Sequence, residues 1–277
     1  IAVCVRVRPL ADRERHANPQ SAWNWEGDTI AQSAQAAWEM SSTSRRDTTS
    51  RHARPQQYSF DHLFPPEART ERIYGKAVKK VVLAAMEGYH GTVFAYGQTG
   101  SGKTHTMQGT RSEPGVIRLA VEECFARLAT ADADRDYLFR MSYLEIYNEQ
   151  INDLLCPAGT NLRIFDGRDG VSSVRGLKEE VVISPEQIYA LIAAGEAQRH
   201  VGATDANLTS SRSHTIFRLT IERVGKAGIC SSLSLVDLAG SESARLSNTT
   251  GERALEGSFI NKSLLTLGHI IYKLTED

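Results

Sequence analysis

Apolar residues along this chain alternate between a strand-like and a helix-like spacing. Residues 1–7 (IAVCVRV) alternate and are rich in β-branched side chains, which predicts a strand. From Ile73 to Ala84 the apolar side chains recur at helical spacing, and Gly88 provides a natural end for that helix. Because the two kinds of segment alternate along the whole chain, the pattern predicts the α/β class, with helices covering a central sheet.

The same two spacings predict the remaining elements. Further strands are expected at 91–96, 174–184, 214–223 and 231–237. Further helices are expected at 116–129, 185–197 and about 258–274. The segment YLFRMSYLEIYN is expected to be a strand that turns into a helix at 147–155. In the last helix the apolar residues form one stripe: Ile260, Leu264, Leu267, Ile271 and Leu274.

One stretch breaks this pattern. Residues 31–57 consist largely of Ser, Thr, Gln, Ala and Arg, including SSTSRRDTTSRHARP, and hold few large apolar side chains. A segment of this composition buries too little apolar surface to offset the cost of ordering it. We therefore expect a mobile surface insertion there.

Composition narrows the classes of partner. The chain has 277 residues, 41% of them hydrophobic, and a formal net charge of −1, so no overall field draws it to nucleic acid or to a membrane. Four scattered cysteines without metal-site spacing predict reduced thiols: Cys4, Cys124, Cys156 and Cys230. Without a signal peptide or an apolar run of about 18 residues, a soluble intracellular chain is expected. The chain starts inside a strand-like run and stops just past a helical one, so we expect a piece of a longer polypeptide.

A glycine-rich octapeptide carries the strongest chemical signal. GQTGSGKT, at 97–104, matches G-x-x-x-x-G-K-[ST] and follows an apolar strand. Its glycines let the backbone curl, so that N–H groups point inward at anionic oxygens. Lys103 is expected to meet the β- and γ-phosphates, and Thr104 to offer a hydroxyl to Mg²⁺. A glycine-rich turn without a ligand is the alternative, and the strand-loop-helix context disfavours it.

Two further motifs supply what a phosphate cradle lacks, namely a carboxylate near the metal and groups that sense the γ-phosphate. In LSLVDLAGSE an alternating strand ends at Asp237, and Gly240 follows with a bare N–H. Without a phosphate loop nearby, this Asp could equally cap a turn. NLTSSRSH, at 207–214, packs small hydroxyls around Arg212. By itself it is typical of a Ser-rich surface turn, although hydroxyls also ligate Mg²⁺ and Arg212 could pair with a carboxylate.

Together these motifs resemble the kinesin motor domain. The residues that carry the resemblance occur in the family's order and span nearly the whole chain: RVRP (6–9), YSFDHLF (58–64), FAYGQTGSGKTHTM (94–107), SYLEIYNEQINDLL (142–155), NLTSSRSHTIF (207–217), LVDLAGSE (235–242) and INKSLLTLG (260–268). VCVRVRPL, SRSHTIFRL and INKSLLTLG look most like the centromere-associated (CENP-E-type) kinesins. The resemblance implies a P-loop NTPase-type fold, with a mixed, mostly parallel central sheet flanked by helices on both faces.

The resemblance also implies a site, residue by residue. Catalytic roles fall to Ser210, Ser211, Arg212, Asp237, Gly240 and Glu242. ATP or ADP would be bound by Arg6, Arg8, Pro9, Gln98, Thr99, Gly100, Ser101, Gly102, Lys103, Thr104, His105 and Asn207. Mg²⁺ would be held by Thr104, Ser211 and Asp237.

Within that site, the resemblance places Arg6 and Pro9 against the adenine, with His105 close to the same base. Asn207, Ser210 and Ser211 would form the first switch, and Asp237 and Gly240 the second switch. We use these names for the segments 207–214 and 237–242 that hold them. Arg212 and Glu242 would form a salt bridge between the two switches.

The implied function is that of a microtubule-based motor head that hydrolyses ATP. The implied microtubule surface is the helix at 258–274 with Arg245, Arg253 and Lys262, and Asn261 belongs to the same relay. The protein is expected to form a homodimer through a coiled coil outside this chain. Its expected location is the cytoplasm and the cytoskeleton, including the mitotic spindle or kinetochore.

The chain also departs from the family pattern. The family continues with a "SKLT"-like segment, a further helix and strand, and a closing helix, and none of these follows Asp277. We therefore expect residues 1–277 to be one C-terminally truncated motor domain. Two other functions compete with the motor. One is a microtubule-binding adaptor with weak or no ATPase. The other is a GTPase-like switch, because Asp237 to Gly240 has the DxxG form, although the chain has no NKxD segment.

Overall fold

The computed structural model of this chain describes most of its length. The described residues are 1–17, 21–33, 56–130, 136–167, 172–201, 211–224, 229–242 and 252–276. They fall into two units, Ile1–Ala77 and Val78–Asp277. Of the insertion expected at 31–57, residues 34–55 lie outside the described residues.

The described part of the first unit contains short strands and two short α-helices. Its elements are β1 (Cys4–Arg6), α1 (Asp12–Ala17), β2 (Trp23–Glu26), β3 (Thr29–Gln32), β4 (Gln57–Ser59), β5 (His62–Phe64) and α2 (Thr70–Ile73). β1 pairs in parallel with β5, and β2, β3 and β4 form an antiparallel sheet. Phe64, Ala68 and Ile73 form a buried cluster against which Cys4 packs. The strand expected at 1–7 is confirmed in shorter form.

The strands and α-helices of the second unit come after a π-helical turn at Tyr74–Val78. Its elements are α3 (Lys79–Met86), β6 (Gly91–Ala95), α4 (Lys103–Met107), α5 (Val116–Ala129), β7 (Asp136–Tyr147), β8 (Gln150–Asp153), β9 (Arg163–Asp166), β10 (Ser172–Arg175), β11 (Glu180–Val182), α6 (Pro185–Val201), β12 (His214–Val224), β13 (Ile229–Asp237) and α7 (Glu252–Lys273). The strands and helices expected around 91, 116, 185, 214 and 231 are all present.

A mixed sheet in the order β11-β7-β12-β13-β6, with β8 beside β7, forms the centre of this unit. The expected mixed sheet flanked by helices is confirmed. The expectation that it is mostly parallel is not met among the described strands, where β13 and β6 pair in parallel and the other pairs are antiparallel. Short connections such as those after β7 and β12 force neighbouring strands to run antiparallel, since a parallel pair needs a long crossover.

The helix expected at 147–155 is wrong. Asn148 and Glu149 both adopt positive φ values, 51° and 63°, in the two-residue link between β7 and β8. A link of this kind matches the twist of a β-hairpin, so the chain reverses instead of winding into a helix. Ile151 and Asp153 then point inward at alternate positions of β8.

The strand expected at 174–184 is two strands. Gly176, at φ +82°, interrupts it between β10 and β11. β10 pairs with β9 in a separate hairpin, whereas β11 pairs with β7 of the central sheet. A left-handed residue inside the segment expected to be one strand therefore ends the first strand and frees the next to join a different sheet.

The middle strands of the sheet form the core. Their fully buried side chains are Phe139, Met141, Tyr143, Phe217, Leu219, Ile221, Leu233 and Leu235. These residues stand at alternate positions of β7, β12 and β13, as expected of strands that bury one face. This core holds β6 and β13 side by side, so that their carboxyl-terminal ends lie together.

The last helix, α7, begins at Glu252, earlier than the expected start at 258. The predicted apolar stripe is half-buried from Ile260 to Ile271, and Leu274 is exposed. None of the helices in the described ranges combines the length and apolar character needed to cross a bilayer.

Candidate nucleotide site

The loop at 97–104, which we call the phosphate loop, joins the end of β6 to the start of α4. Gly100 and Gly102 adopt left-handed φ values of 77° and 95°, which other residues rarely adopt. A Cβ at Gly97 would lie 2.7 Å from the Ser101 hydroxyl oxygen. The three glycines are therefore required by the backbone, and the loop has the curl expected of a phosphate cradle.

Lys103 lies across the mouth of this loop. Its ammonium donates hydrogen bonds to the carbonyl oxygens of Gly97, at 2.9 Å, and Gln98, at 3.0 Å. Burial lowers the pKa of Lys103, and the charges of Asp237 and Glu242 act against that shift. Because its hydrogen-bond partners here are neutral carbonyls, the ammonium is suited to an anionic ligand.

Thr104 and Asp237 meet where β6 and β13 end side by side, since Asp237 stands opposite Ala95 in the parallel register. The Thr104 hydroxyl donates to Asp237 Oδ2 at 2.6 Å. Asp237 Oδ1 is buried and has no hydrogen-bond partner among the described residues. Burial raises the pKa of Asp237, and Thr104 and Lys103 offset part of that rise. A buried carboxylate with an unpaired oxygen beside a hydroxyl is a donor set that fits Mg²⁺.

Gly240 joins the two switches. Its N–H donates to the carbonyl oxygen of Ser211 at 2.8 Å. A Cβ at Gly240 would lie 2.3–2.5 Å from the Glu242 carboxylate oxygens and the Thr99 hydroxyl. The second switch is thus packed closely on the phosphate loop, and a side chain at Gly240 would displace the Glu242 carboxylate and the Thr99 hydroxyl from their present positions.

Glu242 contacts the phosphate loop directly, a contact that the sequence did not reveal. Its carboxylate accepts the Thr99 N–H at 2.8 Å and also the Thr99 hydroxyl. Burial acts to raise the pKa of Glu242, but the two hydrogen bonds from Thr99 outweigh it and lower the pKa. The Ser241 N–H also donates to the Gly97 carbonyl at 3.1 Å. The salt bridge between Arg212 and Glu242 stays a prediction.

A buried charge network behind the site was also missed. The Arg199 guanidinium donates to Glu145 at 2.8 Å, to Ser213 at 2.7 Å and to Glu196 at 3.3 Å. Tyr143 donates its hydroxyl to Glu196. Burial disfavours the charged form of Arg199, but the carboxylates of Glu196 and Glu145 outweigh burial and raise its pKa. The network connects α6 to β7 and to the first switch. Only one feature of the sequence could have indicated it, namely a glutamate, Glu145, on a strand that is otherwise expected to be buried.

Removing Glu145 should destabilise the fold. Glu145→Ala leaves the Arg199 guanidinium, whose side chain is 5% exposed, without its closest carboxylate. Loss of one member of a buried ion pair costs about 3–5 kcal/mol. We expect chemical denaturation to report a fall of that size in the free energy of unfolding.

The matched control for this prediction is Glu122→Ala. Glu122 forms an exposed pair with Arg118 at 2.9 Å, and such pairs contribute less than about 1 kcal/mol. Equal losses for the two variants would contradict a structural role for the buried network.

The residues assigned to the adenine lie in the first unit, apart from His105. The Arg6 guanidinium donates to the Thr70 hydroxyl at 3.1 Å and to the Ala68 carbonyl at 3.4 Å, which ties the end of β1 to the start of α2. Arg8 is paired with Glu14, which holds the pKa of Glu14 at about 2. His105 Nε2 is 3.9 Å from Glu113. The adenine roles of Arg6, Pro9 and His105 and the nucleotide role of Arg8 remain predictions.

Part of the predicted site lies beyond what the structure describes. Asn207, Ser210 and Arg245 fall outside the described residues, as does the side chain of Arg253. In the described part, the structure brings together Thr99, Lys103 and Thr104 with the second switch.

A curled glycine loop between a strand and a helix, a lysine across it and a Thr-Asp pair at the sheet edge define a P-loop nucleotide-binding protein. The kinesin motor domain family matches residues 6–277, and the chain belongs to that family.

Relatives and a solved structure agree with this assignment. The chain is 49% identical over 283 residues to "Kinesin-like protein KIN-7D, chloroplastic" of Oryza sativa subsp. japonica, covering all of this chain and 26% of that protein. It is 49% identical over 281 residues to "Kinesin-like protein KIN-7D, mitochondrial" of Arabidopsis thaliana, covering 100% of this chain and 25% of that protein. The chain thus spans about a quarter of the length of the curated relatives it matches.

The solved structure, described as "Structure of a fast kinesin: Implications for ATPase mechanism and interactions with microtubules", matches with a TM-score of 0.86 and 35% identity. The match covers 100% of this chain and 75% of that one. It confirms the kinesin fold expected from the sequence.

The finer subfamily prediction is not supported. The relatives carry the name KIN-7 and chloroplastic or mitochondrial designations, not those of the centromere-associated kinesins. A spindle or kinetochore location is likewise unsupported. The short segments on which that prediction rested belong to motifs by which the whole family was recognised, so they separate its branches poorly.

Proposed function

We propose that this chain is a motor head that binds and hydrolyses ATP and couples the state of the terminal phosphate to microtubule binding. The single observation that carries the proposal is the packing of the second switch on the phosphate loop. Glu242 contacts Thr99, and a Cβ at Gly240 would meet the same two side chains. A change of ligand on the phosphate loop is therefore expected to affect the second switch.

The described contacts support the nucleotide roles that we propose. Lys103 would exchange its two backbone carbonyl partners for phosphate oxygens, a stronger, charge-assisted pairing. Thr104 and Asp237, with Ser211, would hold Mg²⁺, which when bound neutralises charge on the phosphate oxygens. Gly240 would turn its N–H from the Ser211 carbonyl to the γ-phosphate.

Glu242 is the group that we propose changes partner. In this structure its carboxylate is held by Thr99. With a terminal phosphate on the loop, the anionic carboxylate and the phosphate oxygens would repel each other, because like charges at contact distance cost free energy. Glu242 would then pair with Arg212 and close the site around a water.

A double-mutant cycle tests this exchange. Arg212→Ala and Glu242→Ala should each lower ATP turnover, about tenfold or more, since a charge-assisted hydrogen bond contributes about 1.5–3 kcal/mol. If the two residues act as a pair, the double variant should be no slower than the slower single variant. Steady-state turnover of the four proteins gives the result, and fully additive losses would contradict the pairing.

The proposed microtubule surface is α7 with Arg245, Arg253 and Lys262. Within the described residues, Lys262 donates to Glu149 at 2.9 Å, and their side chains are 67% and 41% exposed. Glu149 lies on the β7-β8 hairpin, so this carboxylate neutralises part of the charge that α7 offers to an acidic partner.

Opposite effects are therefore expected from changes at the two ends of this pair. Lys262→Gln removes a positive charge and should weaken microtubule affinity about threefold to fivefold, and Glu149→Gln should strengthen it by a similar factor, since one surface charge contributes about 1 kcal/mol. Both effects should shrink as salt screens the charges. Co-sedimentation with microtubules at two salt concentrations measures them, and effects of the same sign would exclude an electrostatic contact here.

Nucleotide-dependent co-sedimentation tests the function itself. We expect the affinity for microtubules to differ between ADP and a non-hydrolysable ATP analogue, because the second switch contacts the loop that binds the terminal phosphate. A microtubule-binding adaptor with a dead nucleotide site would bind equally in both conditions. Such a result would sink the motor proposal.

A further inference from the structure

His214 joins two parts of the molecule that the sequence keeps apart. It is the last residue of the first switch and the first residue of β12, and it is 7% exposed. Its Nδ1 accepts the N–H of Ala239 at 3.0 Å. Its Nε2 lies 2.8 Å from the hydroxyl oxygen of Ser263 on α7. One buried ring therefore contacts both the second switch and the last helix.

The hydrogen bonds fix the tautomer of this ring. The Ala239 N–H can only donate, so Nδ1 carries a lone pair, and the neutral ring carries its hydrogen on Nε2. Nε2–H then donates to the Ser263 hydroxyl, which donates in turn to the Ile260 carbonyl at 2.8 Å. Burial, and next the charge of Lys103, lower the pKa of His214 to about 4, so the ring is neutral near pH 7. Each ring nitrogen and the Ser263 hydroxyl thus have partners in one continuous chain.

The chain of hydrogen bonds from Ser263 through His214 ends at Ala239, one residue before Gly240, whose N–H is expected to sense the γ-phosphate. Ala239 directly precedes Gly240, whose N–H donates to the Ser211 carbonyl at 2.8 Å. The N–H groups of the two consecutive residues are both held, that of Ala239 by His214 and that of Gly240 by Ser211. Because the two residues share one peptide bond, a shift of Gly240 is expected to strain or move the hydrogen bond from Ala239 to His214.

We propose that His214 is a positioning residue that holds the Ala239–Gly240 segment in register with α7 through Ser263. A change at Gly240 is passed along this chain to α7, and displacement of α7 is passed back to Gly240, since coupling between two sites is reciprocal. The coupling itself stands on the described contacts, and only its trigger, the γ-phosphate, rests on the proposed function.

Amide hydrogen exchange at Ala239 tests the coupling without any nucleotide chemistry. Ser263→Ala removes the hydroxyl that His214 Nε2 contacts, at a residue that is distant in sequence from Ala239. We expect the Ala239 amide in the full-length protein to exchange about fivefold faster in this variant, as for the weakening of one hydrogen bond. Thr266→Ala is the matched control, because the Thr266 hydroxyl also donates to an α7 carbonyl, that of Lys262 at 2.9 Å, but lies exposed. An unchanged rate in Ser263→Ala, or an equal rise in Thr266→Ala, overturns the proposal.

Turnover separates positioning from a merely structural role. His214→Asn keeps an acceptor for Ala239, but its side chain is too short to reach Ser263. We expect Ser263→Ala and His214→Asn each to lower the ratio of microtubule-stimulated to basal ATP turnover at least threefold, and the double variant to lower it no further. Additive losses overturn the proposal. If the unmodified protein hydrolyses no ATP, the proposed function fails, and the exchange rates at Ala239 still decide the role of His214.

Discussion

ATP turnover in Lys103→Ala is expected to fall a hundredfold or more. The ammonium lies across the phosphate loop, within 2.9–3.0 Å of the Gly97 and Gln98 carbonyls. A phosphate oxygen in that position would receive a charge-assisted hydrogen bond contributing about 1.5–3 kcal/mol. Two such bonds, lost together from the transition state, correspond to about a hundredfold or more in rate. Steady-state phosphate release measures the fall, and fluorescent ADP titration should show weakened binding as well.

Lys80→Ala is the matched control for Lys103→Ala. Lys80 is an exposed residue of α3 in the same unit, so its removal changes the net charge equally and leaves the phosphate loop intact. We expect its turnover to stay within about twofold of the unmodified protein, in keeping with an exposed surface change. Turnover that survives Lys103→Ala would show that the loop at 97–104 is not the catalytic nucleotide site.

Gly240→Ala is expected to reduce turnover tenfold to a hundredfold. The added methyl would sit 2.3–2.5 Å from the Glu242 carboxylate and the Thr99 hydroxyl, closer than atoms can approach. Either Glu242 and Thr99 give up the hydrogen bonds between them or the second switch moves off the phosphate loop, at a cost of about 1–3 kcal/mol for an overpacked site. Because Lys103 and Thr104 are untouched, ADP affinity should change less than turnover. Parallel measurements of turnover and ADP binding check both parts of this expectation.

The control for Gly240→Ala is Gly75→Ala. A Cβ at Gly75, in the π-helical turn, would meet no atom within 4 Å. Turnover of this variant should stay within about twofold of that of the unmodified protein. A Gly→Ala change at a position that accepts it shifts the free energy of unfolding by about 1 kcal/mol or less. Full activity in Gly240→Ala would mean that the second switch does not need its close approach to Thr99.

Local patterns in the sequence predicted much of the fold. The helix at 116–129 and the strands near 91, 214 and 231 were predicted because each has the periodicity of one regular element over its whole length. The phosphate loop was predicted because its glycines, lysine and threonine act within eight consecutive positions. The glycine φ values then agree with the chemistry that the motif implied.

The hairpin at β8 could not be predicted in the same way. The segment INDLL is compatible with a helix. The left-handed pair Asn148 and Glu149 reverses the backbone just before it, so that residues up to Asp153 form β8 instead. Non-glycine residues seldom adopt such φ values, and tertiary pairing with β7 supplies the free energy that holds them there. The register of the sheet, not local propensity, decides this element.

The partners within the site were hidden for a related reason. Thr99 and Glu242 are 143 positions apart, and His214 and Ser263 are 49 apart. No local spacing signals a contact between residues so far apart in the chain. The resemblance to the kinesins brought the switches together as motifs, but it did not reveal that Glu242 contacts Thr99 or that His214 bridges to α7.

The central claim is that nucleotide turnover on the phosphate loop is coupled to microtubules through the second switch and α7. Steady-state ATP turnover of the full-length protein, measured with and without microtubules, tests it most directly. The account predicts that microtubules raise turnover at least tenfold, and that Lys103→Ala lowers turnover a hundredfold or more in both conditions. Turnover that is the same with and without microtubules, in a protein that hydrolyses ATP, would contradict it.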